Sequence, residues 1–366
     1  MRPKNSAMFN LIVVLSAFFL SSCTFSKPGT KSEIAATVSE GTDTPITVTG
    51  YKDFHHEPFR FPEKGDKVAV ISPASLPSEE KYNAIMDGFR DWGYDPVAGK
   101  VACVDERTLE DCIADLEWAL EDPEITAVFC VRGGYGSSEV MDRIPLSLIE
   151  QAKKPFIGFS DNTVLLSAWT KAGIPSIHAS TAQVFLDFPE ACLDVERRIL
   201  GGEVPSYRCE GSEYDLPGTA QGILIGGNLS TFTAVLDTAY DCTVLDEPYI
   251  LFLEDVGEDM EHIHRLLTIL DHRGVFDRAA GIVFGEWTEY PEECPSYSGS
   301  SRGGRFQSVA DMISRQFLPG RNIPVAFGFP AGHGDTNYPL LMGTEVKLEV
   351  KEDSFSLEWL DPSAAQ

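Results

Sequence analysis

A series of short, almost unbroken apolar runs limits what this chain can fold into. They lie at 67–71, 125–131, 156–159, 222–225, 249–253 and 280–284. Most are bounded on at least one side by Gly, Pro, Asp or Ser. None alternates polar with apolar residues, which is the mark of strands buried on both faces of a parallel sheet. Segments with helical spacing lie between the runs. Ser78 precedes Glu79 and Glu80, and Tyr82, Ile85, Phe89 and Trp92 then share one face, so the spacing predicts a helix capped by Ser78. A second such stripe, Ile263, Leu266, Leu267 and Leu270, follows Asp259. Strands alternating with helices predict an α/β fold.

Ligands of such sheets sit beyond the carboxyl ends of the strands. Ser72, Arg132 and Ser160 all stand at such ends. Ser160 leaves the run 156–159 and precedes the helical pattern Val164-Leu165-Leu166-Ser167-Ala168-Trp169. A serine on a sharp strand-to-helix turn projects its hydroxyl from the sheet, and the next backbone N–H points where an oxyanion would form. Gly158 leaves room for the turn; Asn162 stands where a second glycine is common. A serine before an acid at a helix start is also a frequent N-cap. The loop Arg132-Gly133-Gly134-Tyr135-Gly136 could bring backbone N–H groups close to a ligand. A plain glycine turn fits it equally well, and it is no dinucleotide fingerprint.

A serine nucleophile needs a base, and usually a carboxylate to orient that base. Of the seven histidines, His55 and His56 fall in a polar N-terminal segment, and His262, His264 and His272 lie on a charged helix. His178 and His333 remain, both at strand exits. Flanking Gly332 and Gly334 let the backbone present His333 at a cleft, whereas His178 reads as a core or hydrogen-bonded histidine. Glu254 closes an apolar run, a costly place for a carboxylate unless paired. Asp255 and Glu258 are equally good acids on chemistry alone. The order Ser160, Glu254, His333 is that of nucleophile, acid and base in α/β-hydrolases.

The N-terminus reads as a leader. Arg2 and Lys4 precede an apolar run at 8–20, too short to span a bilayer comfortably, and then Leu20-Ser21-Ser22-Cys23. The tetrapeptide resembles the bacterial lipobox, whose cysteine is lipidated, so the expectation is an exported protein anchored to a bacterial membrane through Cys23. The formal net charge of −27 makes nucleic acid an unsuitable partner. The eight cysteines show neither a disulfide framework nor a metal-site spacing. The predicted organisation is a signal peptide at 1–22, a Thr/Ser-rich tether at 23–58, an N-terminal α/β domain at 59–186, a linker at 187–217 and a C-terminal domain at 218–366. A polar loop at 291–305 would rim the cleft.

Six stretches, in order, give the chain a specific likeness: Gly65-Asp66-Lys67-Val68-Ala69-Val70-Ile71-Ser72-Pro73-Ala74, Arg132-Gly133-Gly134-Tyr135-Gly136-Ser137, Gly158-Phe159-Ser160-Asp161-Asn162-Thr163, Gly226-Gly227-Asn228-Leu229, Leu253-Glu254-Asp255-Val256-Gly257-Glu258 and Gly328-Phe329-Pro330-Ala331-Gly332-His333. The chain resembles the LD-carboxypeptidase family, which comprises muramoyl-tetrapeptide carboxypeptidases and their microcin-immunity relatives. The resemblance implies Ser160 as nucleophile, His333 as base, Glu254 as its orienter, and an oxyanion hole from the N–H groups of Gly134 and Asp161. It also implies a flavodoxin-like parallel-sheet N-terminal domain, a mostly β C-terminal domain with helices, no metal or cofactor, and often a homodimer. The chain departs from the family at Ser138-Glu139, where a basic residue is usual, and at His178-Ala179-Ser180, where His-Gly-Pro is usual.

The expected function is removal of a terminal D-amino acid from a cell-wall stem peptide. Arg132 and Tyr135 are candidate substrate contacts, since such a peptide ends in a carboxylate. Hydrolysis of an imported peptide or aminoacyl-nucleotide conjugate is one alternative, and a non-catalytic muropeptide-binding lipoprotein is another.

Overall fold

The apolar runs become the central strands of two sheets. The computed structural model describes residues 46–54, 59–179, 188–288 and 306–360. Its strands in chain order are β1 (Ile46–Asp53), β2 (Lys67–Ile71), β3 (Asp95–Ala98), β4 (Ile125–Cys130), β5 (Phe156–Gly158), β6 (Ser176–His178), β7 (Glu203–Glu210), β8 (Gly218–Asn228), β9 (Tyr249–Val256), β10 (Ala279–Thr288), β11 (Val325–Phe327), β12 (Leu340–Met342), β13 (Glu345–Val350) and β14 (Ser354–Trp359). One sheet runs β12-β6-β5-β4-β2-β3. Strands β2 to β6 are parallel within it. This is the flavodoxin-like order, and its direction of winding reverses between β2 and β4, where such sheets open a crevice. The other sheet runs β1-β7-β14-β13-β8-β9-β10-β11. There β8 to β11 are parallel, and the strands from β13 to β1 are antiparallel. The α/β class, with a parallel N-terminal sheet and a strand-rich C-terminal part carrying helices, is the one expected.

The helix Thr163–Lys171 joins the two sheets. Its residues from Thr163 to Thr170 are all buried, as a helix apolar on every side must be. Val164, Leu165 and Trp169 share a core cluster with Leu229, Phe232 and Leu251 from the second sheet's side. Each such side chain stabilises the fold by about 2 kcal/mol. The N–H of Asn228, at the end of β8, donates to Thr163 Oγ1 at 3.0 Å. The carboxyl ends of β5 and β8 thus meet at the first turn of this helix. Strand β12 extends the contact by adding Leu340 opposite His178 at the edge of the first sheet.

Two boundaries differ from expectation. Residues 46–53, assigned to a tether, form β1, which pairs along β7 with a register shift near Gly50. Ile-Thr-Val-Thr alternates, and β-branched Thr suits a half-buried strand as well as Val does. Residues 187–217, assigned to a linker, contain a helix (Glu190–Leu200) and β7. The helix buries Cys192, Val195, Glu196 and Ile199 at helical spacing. Its charged outer face obscures that stripe in the sequence. Ser78, the expected cap, accepts an N–H bond at the start of its helix, and Asn228 and Asp259 do the same at theirs, although the helix after Asn228 is only Leu229–Thr233. Cys23, His55, His56 and the loop 291–305 lie outside the described residues.

Candidate active site

Strand β5 ends at Gly158, and Phe159 is still extended. Ser160 then turns into the left-handed region at φ +64° before a short 3-10 turn opens the helix. A non-glycine residue held there costs roughly 1–3 kcal/mol and persists only when its surroundings fix it. Asn162 does much of the fixing. It is fully buried; its Nδ2 donates to Phe159 O (3.0 Å) and Arg132 O (3.4 Å), and its Oδ1 accepts from Ser137 Oγ (3.2 Å). The asparagine in place of a glycine therefore ties the serine turn to the glycine-rich loop. Asp161 points the same way, its Oδ2 accepting the Ser137 N–H at 2.9 Å, and burial raises its pKa.

The glycine-rich loop lies against this turn. A Cβ on Gly133 would stand 2.8 Å from Ser160 Cβ, and one on Gly134 would stand 2.6 Å from Ser75 Cβ. The Ser75 N–H donates to Gly133 O (3.1 Å), and Ser75 Oγ accepts from the Tyr135 N–H (3.3 Å). A trans peptide is planar, so the first bond also directs the Gly134 N–H away from the Ser75 amide. Two arginines pin the β2 exit loop that carries Ser75. Arg132 Nη1 donates to Leu76 O (2.9 Å), while Arg107 donates to Ser72 O (2.6 Å) and to Ala74 O. Tyr135 is 74% exposed, and its hydroxyl donates to Glu139 Oε1 at 3.3 Å.

Across the crevice, β9 and the loop after β11 supply the remaining groups. His333 Nε2 lies 2.9 Å from Ser160 Oγ, and His333 Nδ1 lies 2.7 Å from Glu254 Oε2. The imidazole packs on the Phe159 ring with centroids 4.4 Å apart. Glu254 is fully buried. Burial raises its pKa, and the His333 ring opposes that shift. Of the three acids that chemistry left open, only Glu254 faces His333. Asp255 instead accepts from Asn228 Nδ2 (2.8 Å) and from Ser230 N and Oγ (3.0 and 2.7 Å), and Glu258 contacts His262 Nδ1. His178 is a core histidine: it is fully buried, neither ring nitrogen has a hydrogen-bond partner among the described residues, and it stands edge-on to Phe159 and Phe252. Burial pushes its pKa down to about 3, so it is neutral. Among the described residues no three His, Cys, Asp or Glu side chains are grouped as a metal ion would need.

A hydroxyl, an imidazole and a carboxylate in one hydrogen-bonded row, on a left-handed serine turn, can perform acyl transfer. Family models match two long stretches of the chain. The LD-carboxypeptidase N-terminal domain matches residues 68–179, and the LD-carboxypeptidase C-terminal domain matches 221–348. A putative carboxypeptidase of Synechocystis is 30% identical, the match covering 78% of this chain and 92% of the relative. The chain belongs to the LD-carboxypeptidase family. Another member, the murein tetrapeptide carboxypeptidase of Pseudomonas aeruginosa, is 29% identical over 77% of this chain and 93% of its own length. The crystal structure of the muramoyltetrapeptide carboxypeptidase from Oxalobacter formigenes shares the fold with a TM-score of 0.68 at 23% identity, covering 81% of this chain and 99% of that one. Membership makes the protein a peptidase-family α/β protein. Ser75 and Arg107 went unnoticed in the sequence, although Ser75 sits at a strand exit like Ser72.

Proposed function

We propose that this protein is a serine-type LD-carboxypeptidase that removes the terminal D-amino acid from an L-centre in murein stem peptides. The observation that carries the reading is the row Ser160 Oγ, His333 Nε2, His333 Nδ1, Glu254 Oε2, with contacts of 2.9 and 2.7 Å. In this reading Ser160 Oγ attacks the scissile carbonyl carbon while His333 Nε2 takes its proton. Glu254 keeps the proton of the neutral ring on Nδ1 and stabilises the imidazolium that forms. The N–H groups of Gly134 and Asp161 hold the oxyanion; the contact of Gly133 with Ser160 and the orientation set by Ser75 support that assignment. His333 then protonates the leaving amine, the D-amino acid departs, and an acyl ester remains on Ser160. Water, deprotonated by His333, hydrolyses the ester and frees the shortened peptide. Arg132 and Tyr135, on the loop beside the nucleophile, are assigned to the peptide's carboxylate and backbone.

The assay is mass spectrometry of a disaccharide tetrapeptide incubated with wild type and with Ser160→Ala. Wild type should release the terminal residue and Ser160→Ala should not; equal release by both, or by neither, rejects the reading. Export and anchoring through Cys23 are part of the same proposal. They fail if a Cys23→Ala protein still fractionates with membranes.

A further inference from the structure

The loop carrying His333 is gripped by two carboxylates, and only one of them belongs to the row above. Gly332 lies on Glu254, where a Cβ would stand 2.9 Å from Oε2. Gly334 lies on Glu286 in the same manner, where a Cβ would stand 2.7 Å from the Glu286 carboxyl carbon. Both glycines flanking the imidazole are therefore needed because each backbone is pressed onto a carboxyl group. Glu286 sits near the end of β10 and holds the loop on both sides of the ring. Its N–H donates to Ala331 O at 3.1 Å, and its carboxylate lies against the Gly334 backbone, whose N–H lowers the carboxyl pKa.

The electrostatic setting is equally specific. Glu286 Oε2 is buried and makes no hydrogen bond within the described residues, so no ion pair there neutralises it. Three ionisable groups facing it are His333 and Asp335 on the loop and Glu254 on β9. Beneath the loop, the helix Glu190–Leu200 brings up Cys192, whose thiol burial pushes to about 12 and so keeps neutral, with Glu196 one turn further on. Burial lifts the Glu286 carboxyl to about 7; Asp335 and Glu254 add to the shift, and the Gly334 N–H and the His333 ring oppose it. A carboxylate so placed favours a protonated imidazole beside it.

We propose that Glu286 is a positioning residue for the base: its carboxylate fixes the His333 loop through Gly334 and, when ionised, raises the proton affinity of the His333 ring. This rests on the reading of His333 as the general base. Turnover needs His333 neutral, so the ionised Glu286 places the acid limb of kcat/KM at higher pH than the ring would otherwise show. Glu286→Gln keeps an acceptor for the Gly334 N–H and removes the charge. Its acid limb should move to lower pH by roughly one unit. Glu286→Ala loses the grip as well, and kcat should fall at least about tenfold with KM for the tetrapeptide unchanged.

Direct titration separates this from the peptidase reading. In the full-length Ser160→Ala protein with ring-labelled histidine, His333 is assigned by comparison with His333→Ala, and its titration is followed by NMR with and without Glu286→Gln. Thermal melting checks that each variant is folded. A lower midpoint in the Gln variant supports the proposal whether or not the tetrapeptide proves to be the substrate. An unmoved midpoint overturns it, and so does a Glu286→Ala enzyme with wild-type kcat. Retained carboxypeptidase activity in Ser160→Ala alone would reject the serine mechanism but leave the link between Glu286 and His333 standing.

Discussion

Replacing Glu254 by Gln removes one charge and almost no volume, and the structure gives the outcome a definite sign. Glu254 Oε2 accepts from His333 Nδ1 at 2.7 Å, whereas Oε1 is buried with no hydrogen-bond partner among the described residues. A glutamine amide must choose between these two positions. With its oxygen toward Nδ1 it would bury an NH2 group with nothing to accept its hydrogens, at about 1–3 kcal/mol. With NH2 toward Nδ1 that group is satisfied, but the ring must accept at Nδ1 and so carry its proton on Nε2, facing Ser160. The second arrangement is favoured, and in it the base cannot take the serine proton. The imidazolium also loses its counter-charge. A wrong tautomer and a missing counter-charge together lower kcat by roughly 10³–10⁴-fold, or about 4–5.5 kcal/mol of barrier. The fold should not suffer, because the substitution relieves the desolvation of a fully buried carboxylate. Glu254→Gln should therefore be nearly inactive on tetrapeptide and melt at or above the wild-type temperature. Activity within about tenfold of wild type would refute the assignment of Glu254 as orienter. A collapse in melting temperature would show that Glu254 holds the fold rather than the base.

Other consequences can be measured on the same preparations. Ser160→Gly removes the nucleophile and places at φ +64° a residue with no steric penalty there, so it should abolish turnover and raise stability by about 1 kcal/mol in a denaturant titration; unchanged or lower stability contradicts the strain at the turn. His178 is held neutral with its pKa near 3, below the unfolded value of 6.5. The unfolded chain therefore binds the proton first, and the contribution of His178 to stability falls as pH drops from about 6.5 toward 3. His178→Leu should lose less melting temperature between pH 7 and pH 5 than wild type does, and parallel curves would rule this out.

Much of the site was legible because chemistry-bearing residues stand at the ends of apolar runs. Ser160, Glu254 and His333 each follow an apolar stretch, and their chain order matches that of nucleophile, acid and base in α/β-hydrolases. Chemistry alone did not separate Glu254 from Asp255 and Glu258, and only the family resemblance implied it, because adjacent residues on a strand point to opposite faces and the register decides which one meets the ring. Glu286 was missed although it ends the apolar run of β10 much as Glu254 ends that of β9; applying one rule to both runs would have flagged it. Strand β1 was hidden by composition, since threonines that alternate with Ile46 and Val48 look like tether sequence until β7 provides a partner. The helix Glu190–Leu200 was hidden by Glu190, Asp194, Arg197 and Arg198 on its outer face and by Glu196, a charged residue within its buried stripe. Asn162 seemed to spoil the serine turn, yet its buried amide joins that turn to the glycine-rich loop, a role that only the folded chain reveals.

The central claim is that Ser160 is made nucleophilic by His333. Full-length protein treated with a fluorophosphonate that reacts with activated serines, then digested and mapped by mass spectrometry, tests it most directly. A single adduct on Ser160, absent from His333→Ala, is the predicted result. Labelling elsewhere, or labelling of Ser160 that persists without the imidazole, would contradict it.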